Sequence, residues 1–306
     1  MELIRGWPAL HATRRGCVLT LGAFDGLHRG HQALIARART LAHARGVAAL
    51  MVSFEPLPRE FLQPQAPPAR LTNFRERWRL LEHGGLDALC VLRFDARLRA
   101  LRGEEFAARL ADDFGAAVVI VGDDFRFGRD GLATVEVLAD CGRRHGFGVD
   151  VVAPVGDGGR ISSTAVRASL AAGDFAQAAQ LLGRPYTMRG RVIRGAQLGR
   201  TLGYPTANLR LARRRSPLGG IFAVRVHGVA GAPWPGVASL GTRPMVGGVE
   251  PWLETHLFDF AADLYGREIE VEFVGKIRDE ARFANLEAMV ERMHEDASEA
   301  RRLLGA

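Results

Sequence analysis

Gly22-Ala23-Phe24-Asp25-Gly26-Leu27-His28-Arg29-Gly30-His31 follows the apolar run Cys17-Val18-Leu19-Thr20-Leu21 and precedes Gln32-Ala33-Leu34-Ile35-Ala36-Arg37-Ala38. The run before it reads as a buried strand and the run after it as a helix. Two histidines and three glycines therefore sit where a strand hands over to a helix N-terminus. Backbone N–H groups there lack partners and the helix dipole is positive, so the place favours anions. Glycines such as Gly22 and Gly30 let a phosphate approach the main chain. Phe24 and Asp25 lie inside the same turn, and the His28 and His31 imidazoles can donate to phosphate oxygens. Nucleotide chemistry is the expectation from this strand onward.

Working outward, residues 1–184 alternate strands and helices. Strands are expected at 18–23, 48–54, 88–92, 117–122 and 149–153, and helices at 31–45, 73–83, 103–114 and 134–145. Short apolar strands separated by amphipathic helices imply an α/β domain, Rossmann-like, with a parallel sheet covered on both faces. Ligands of such sheets bind beyond the carboxyl ends of the strands. The histidine turn, Ser53–Arg59 and Gly122–Gly128 all fall there. Short helices at 163–171 and 175–182 follow, and Gly183-Arg184-Pro185-Tyr186 reads as a boundary. Residues 185–306 then change pattern. Alternating runs at 189–194, 222–227, 234–239, 252–258 and 268–274 read as antiparallel strands. A helix at 285–304 with Leu286, Met289, Val290 and Met293 on one face closes the chain. The second half is expected to be a small β-barrel with that helix against it.

The 306 residues suffice for two domains, and 47% hydrophobic with 25% charged residues is ordinary for a globular chain. The net charge is +7, carried almost wholly by arginine, since Lys276 is the only lysine. A phosphate loop ending Gly-Lys-Ser/Thr is therefore excluded. The tightest cluster, Arg213-Arg214-Arg215, reads as solvated loop charge. Cys17, Cys90 and Cys141 are far apart and in apolar stretches, which fits buried thiols in a reducing cytosol and a cytoplasmic protein. The opening residues do not read as a signal peptide, and no apolar run reaches membrane-spanning length.

Four further strings carry chemistry. Ile161-Ser162-Ser163-Thr164-Ala165-Val166-Arg167 sets three hydroxyls before a helix, with an arginine on its first turn. Such hydroxyls cap a helix or bind phosphate. Gly122-Asp123-Asp124-Phe125-Arg126-Phe127-Gly128 ends the fourth strand. Its aspartates read as a metal pair, a cap or nucleoside acceptors, the last being preferred for Asp124. Phe125 and Phe127 stack on a ligand ring or pack. Pro56 and Arg59 lie on the same rim and fit the wall of an acceptor pocket. In the second half, Gly195 and Gly199 open a Gly-rich string that ends Gly203-Tyr204-Pro205-Thr206-Ala207-Asn208. It reads as a phosphate-approaching loop or as an ordinary turn. Thr206 and Asn208 share a face if the chain is extended, and neutral oxygen ligands beside a nucleotide suit Mg²⁺. Glu254, an acid in an otherwise apolar alternating strand, reads as a general base or as half of a salt bridge.

The first string resembles the HxGH signature of the nucleotidylyltransferase superfamily, which joins a nucleoside monophosphate to an acceptor phosphate and releases pyrophosphate. That superfamily carries a Ser/Thr-x-x-Arg element similar to the one at 163–167. Taken with Leu182-Gly183-Arg184-Pro185-Tyr186 and the Gly203–Asn208 string, the chain resembles the bacterial bifunctional riboflavin kinase/FAD synthetase family from about Val18 to Asp296. The resemblance implies ATP-dependent phosphorylation of riboflavin to FMN in the barrel and adenylylation of FMN to FAD in the N-terminal domain, both with Mg²⁺. It assigns His28 and His31 to adenylyl transfer and Asp124 to the nucleoside, with Ser163, Thr164 and Arg167 on the phosphates. It assigns Thr206 and Asn208 to Mg²⁺–nucleotide, Glu254 to activation of the ribityl hydroxyl, and Arg278 to the flavin side. The implied partners are ATP, riboflavin and FMN, without nucleic acid or membrane, and with weak self-association left open. Departures are a short loop at Arg129-Asp130-Gly131, Met245 in place of a common Thr, and Gly220-Ile221-Phe222 in place of Gly-Val-Tyr. Two rivals remain: an FMN adenylyltransferase with a non-catalytic barrel, and a nucleic-acid-binding module suggested by the charge. Basic residues interleaved with aromatics are scarce in the barrel half, which weakens the latter.

Overall fold

The computed structural model describes all residues except 9–15, 83, 157–159, 196–198, 200, 201, 246 and 247; side chains at 243–245, 248 and 249 are also undescribed. Part of the Gly195–Asn208 string and the Met245 side chain thus lie outside the described residues. The chain forms two compact units, one of residues 1–68 and 77–162, the other of residues 69–76 and 163–306.

The first unit is a six-stranded parallel sheet in the order β1-β4-β3-β2-β5-β6. Its strands are β1 (Glu2–Arg5), β2 (Cys17–Leu21), β3 (Ala48–Glu55), β4 (Ala88–Arg93), β5 (Ala116–Gly122) and β6 (Gly148–Val152). Every residue of β2 is buried, as a central parallel strand covered on both faces requires. Cys17, Leu19 and Leu21 pack in one cluster with Phe106 and Leu110 of α5 (Gly103–Asp112) and Leu138 of α6 (Val135–His145). Helix α1 (Arg29–Arg45) buries Ile35, Ala38 and Ala42 outside that cluster and packs on β2, so it covers the opposite face, where Val18 and Thr20 point. Each such fully buried Leu or Ile contributes about 1.5–3 kcal/mol. The chain order reverses between β2 and β5, which places the crevice of the sheet at the ends of those two strands.

The second unit is a closed antiparallel barrel, β10-β11-β8-β7-β12-β9. Its strands are β7 (Thr187–Ile193), β8 (Ala207–Arg210), β9 (Gly220–His227), β10 (Trp234–Met245), β11 (Gly248–Leu257) and β12 (Glu268–Arg278). Alternation puts Leu209, Leu240, Leu253, Val271 and Phe273 in one buried cluster. The closing helix, here α9 (Leu286–Leu304), packs on β9, β10 and β12, with Asn285 as its cap and Gly305 ending it in the left-handed region.

The expected α/β-plus-barrel architecture is present, with differences. The short strands β1 and β8 and the helices α2 (Pro58–Leu62) and α4 (Ala96–Ala100) were not expected. The packing units divide at 162/163, ahead of the domain boundary expected at 184/185. Val166 and Leu170 of α7 (Ser163–Ala171) and Phe175 and Leu182 of α8 (Phe175–Leu182) join the barrel cluster, and so does Leu71. Arg213 is also not solvated. Its side chain is fully buried and its guanidinium Nη2 lies 2.7 Å from both oxygens of Glu76, which belongs to the same unit. Glu76 precedes Arg77, where the chain re-enters the first unit within α3 (Phe74–Glu82).

Candidate active sites

In the first unit the residues after β2 make a tight loop whose backbone is held in uncommon conformations. Phe24 and Leu27 adopt positive φ (50° and 45°), and both side chains are buried. Such conformations persist where surroundings over-determine them. Phe24 is locked by burial, and the Gln32 amide donates to Leu27 O at 2.9 Å. His28 caps α1, its Nδ1 accepting from the His31 backbone N–H at 3.4 Å. Its ring stacks on that of His31 with centroids 3.6 Å apart. A Cβ at Gly30 would lie 3.2 Å from His28 Nδ1, so glycine is what lets the imidazole lie against the helix start.

His28, His31, Gly22, Phe24 and Gly30 line a cleft of about 230 Å³ at the β2/β5 switch point, together with Asp124, Phe125, Arg160, Ile161 and Ser162. The cleft joins the ends of three strands, as the sheet topology requires. Burial, the neighbouring His28 and the Arg77 cation hold the His31 pKa well below its ordinary value. His31 is therefore a neutral imidazole here, not a standing positive charge. Among the described residues its Nδ1 is buried without a hydrogen-bond partner. Arg77 is buried beneath the loop and donates to Ala23 O at 3.0 Å and to Glu55 at 3.3 Å.

Other expected residues fall differently. Asp25 is buried and does not line the cleft. Pro56 and Arg59 are exposed at the end of β3, on the same edge of the sheet but outside the cleft lining. Asp123 and Asp124 both pair with Arg160, a cleft cation that sequence reasoning passed over. The signal for it was a lone arginine just before the hydroxyl string. Phe125 stacks on Phe127. Ser163 and Thr164 open α7 in the second unit, and Arg167 donates to Ala69 O there.

In the barrel, β8 and β11 run antiparallel with Glu254 directly opposite Asn208. Opposite residues share a face, as do residues two apart. Thr206, Asn208 and Glu254 therefore stand on one side of the ribbon, while Leu209, Leu253 and Thr255 are buried on the other. The three line a cleft of about 330 Å³. Gly199, Tyr204, His256, Arg278 and Glu280 share it. A Cβ at Gly199 would collide with Tyr204 O, and one at Gly195 would lie 2.5 Å from Asn208 Oδ1. Gly195 thus lies against the Asn208 amide. Tyr204 Oη is 2.6 Å from His294 Nδ1 of α9. Burial pushes the Tyr204 phenol up. Arg278 lines the cleft but its guanidinium is held by buried Asp296 through bonds of 2.6–3.1 Å. The Glu280 carboxylate rests where a side chain at Gly241 would be. Tyr204 lies inside the Gly203–Asn208 string without a role read for it, and His256 and Glu280 had no sequence signal of their own.

A profile of the FAD synthetase family matches residues 10–165 and one of the riboflavin kinase family matches residues 182–304. A bifunctional riboflavin kinase/FMN adenylyltransferase of Pseudomonas fluorescens is 47% identical over 99% of this chain and 98% of its own. The same-named protein of Escherichia coli K12 is 44% identical over 100% and 98%. The chain belongs to the bifunctional riboflavin kinase/FMN adenylyltransferase family. A solved structure from Streptococcus pneumoniae, described as a macrolide-efflux protein, superposes with a TM-score of 0.81 at 32% identity, covering 99% of both chains. Among the described residues no helix is long and apolar enough to cross a membrane. The two profile matches divide between the two clefts: the histidine turn falls in the FAD synthetase match, and Thr206, Asn208 and Glu254 in the riboflavin kinase match.

Proposed function

We propose that this chain converts riboflavin to FMN at the barrel cleft and FMN to FAD at the histidine cleft. The observation that carries the reading is the Asn208–Glu254 cross-strand pair, which sets a carboxylate beside neutral oxygen ligands at an open cleft. In the first reaction Glu254 accepts the proton of the terminal ribityl hydroxyl. That oxygen bonds to the γ-phosphorus of ATP as the bond to ADP breaks. In the second, an FMN phosphate oxygen attacks the α-phosphorus and pyrophosphate leaves. His28 and His31 donate N–H bonds to phosphate oxygens, and the amino end of α1 adds its dipole.

The donor set fits Mg²⁺. Thr206 and Asn208 offer hard, neutral oxygens beside the Glu254 carboxylate that acts as the base. Among the described residues no group of three or more His, Cys, Asp and Glu forms a protein-only metal cage. Such a set suits a cation shared with phosphates and water, which would offset phosphate charge in the transfer. Three free, buried cysteines support a cytoplasmic setting. The test is incubation with riboflavin, ATP and Mg²⁺ followed by separation of the flavins. Appearance of FMN and then FAD is expected. Formation of neither sinks the reading. FAD from supplied FMN but never from riboflavin reduces the barrel to a non-catalytic role.

A further inference from the structure

The Asn208 amide is held by a residue that no motif singles out. Trp252 lies two residues before Glu254 on β11 and opposite Arg210 on β8, so it shares the face of Asn208 and Glu254. Its indole Nε1 is 2.9 Å from Asn208 Oδ1. An indole N–H only donates, so the amide atom that faces it must be the oxygen. At the other end Asn208 Nδ2 donates to Thr206 O at 3.1 Å and approaches Thr206 Oγ1 at 3.4 Å. The two ends agree on one orientation. Shape alone does not select it, because the oxygen and NH₂ ends of an amide are nearly the same size. Hydrogen-bond chemistry does. Asn208 is 4% exposed and Gly195 packs against the amide, so there is little room for the group to turn.

We propose that Trp252 is a positioning residue for phosphoryl transfer: its N–H bond to Asn208 presets the oxygen that meets a divalent cation–nucleotide, and its indole senses that ligand's arrival. The inference rests on the kinase reading of the barrel. A carbonyl already holding one N–H bond keeps a second lone pair. Partners that orient a metal's ligands change its affinity by about 10–100-fold when removed.

Trp252→Phe keeps an aromatic ring and removes the donor together with part of the ring volume. The probe is Mg²⁺ titrated into the full-length protein with ADP present, followed by calorimetry and by tryptophan emission. Wild type is expected to bind Mg²⁺·ADP with a change in emission. In Trp252→Phe the Mg²⁺ dissociation constant rises about tenfold or more and most of that emission change disappears. Trp252→His, which retains a ring N–H, recovers part of the loss. In the phosphorylation assay the Mg²⁺ half-saturation rises while kcat at saturating Mg²⁺ falls far less, a split that general loosening of the barrel would not produce. Mg²⁺ affinity and emission response equal to wild type overturn the inference. Tighter Mg²⁺ binding also overturns it, because the indole would then compete with the cation. If Trp252→Phe does not fold, absence of any emission change on Mg²⁺·ADP binding to wild type is enough to reject it. Failure of wild type to bind Mg²⁺·ADP at all sinks the kinase reading instead.

Discussion

Arg213→Met tests how the barrel unit is tied to residues 69–76. The guanidinium donates through Nη2 to both oxygens of Glu76, at 2.7 Å each, and through Nη1 to Arg70 O, Leu71 O and Tyr186 Oη at 3.2–3.3 Å. Methionine fills much of the volume but, among the described residues, leaves Glu76 the hydrogen bonds of the Asn73 and Arg189 backbone N–H groups, at 2.7 and 2.8 Å. Burial already pushes the Glu76 carboxyl up against the pull of Arg213. Breaking such a pair from one side costs about 3–5 kcal/mol, mostly the desolvated charge left behind. For a unit of this size each kcal/mol lowers the melting temperature by about 2–4 °C, so a fall of about 6–20 °C is expected. Scanning calorimetry measures it, and thermal loss of riboflavin phosphorylation reports the same unit through its chemistry. The double variant Glu76→Gln/Arg213→Met should regain a good part of the loss, because no buried charge is then orphaned. Without its cation Glu76 binds a proton more readily, so the penalty of the single variant shrinks as pH falls. A single-variant loss under about 1 kcal/mol, or a double variant no better than the single, would refute the view that a buried, mutually dependent pair fastens this segment.

Glu254→Gln should lower riboflavin phosphorylation by about 10²–10⁴-fold while FMN is still converted to FAD, read by separating the flavins. Arg77→Met removes one of the influences that depress His31, so the His31 ring should take up its proton at higher pH, read by NMR titration of the imidazole; an unmoved titration counts against the coupling. Because His31 is neutral in the fold yet takes a proton near pH 6.5 when unfolded, stability should fall below that pH by up to about 1.4 kcal/mol per unit. Urea unfolding of wild type and His31→Gln between pH 5 and 7 checks this, the variant showing the shallower slope. Gly195→Ala drives a Cβ into the Asn208 amide and should raise the Mg²⁺ half-saturation of phosphorylation, while adenylylation reports on the rest of the chain.

What was legible in the sequence was local, and what was not depended on register. The histidine turn could be read because a strand, a glycine-rich loop and a helix start are contiguous, and one cap geometry joins His28 to His31 three residues on. The Asn208–Glu254 pair could be suspected only by residue type. It becomes a site because β8 pairs with β11 in one register, and a slip of one residue would turn Glu254 to the opposite face. Four-residue β8, squeezed between a Gly-Pro string and an arginine run, is too short to show alternation of its own. Arg213 was misread for a related reason. Three arginines in a row look solvated, and nothing near them in sequence announces that the carboxylate awaiting the first lies 137 residues earlier. Trp252 is the sharpest instance. As text it is an aromatic in an apolar strand, yet its one polar atom selects which end of the Asn208 amide is oxygen. Motifs name the groups that can react, whereas the pairing of strands decides which atoms those groups present.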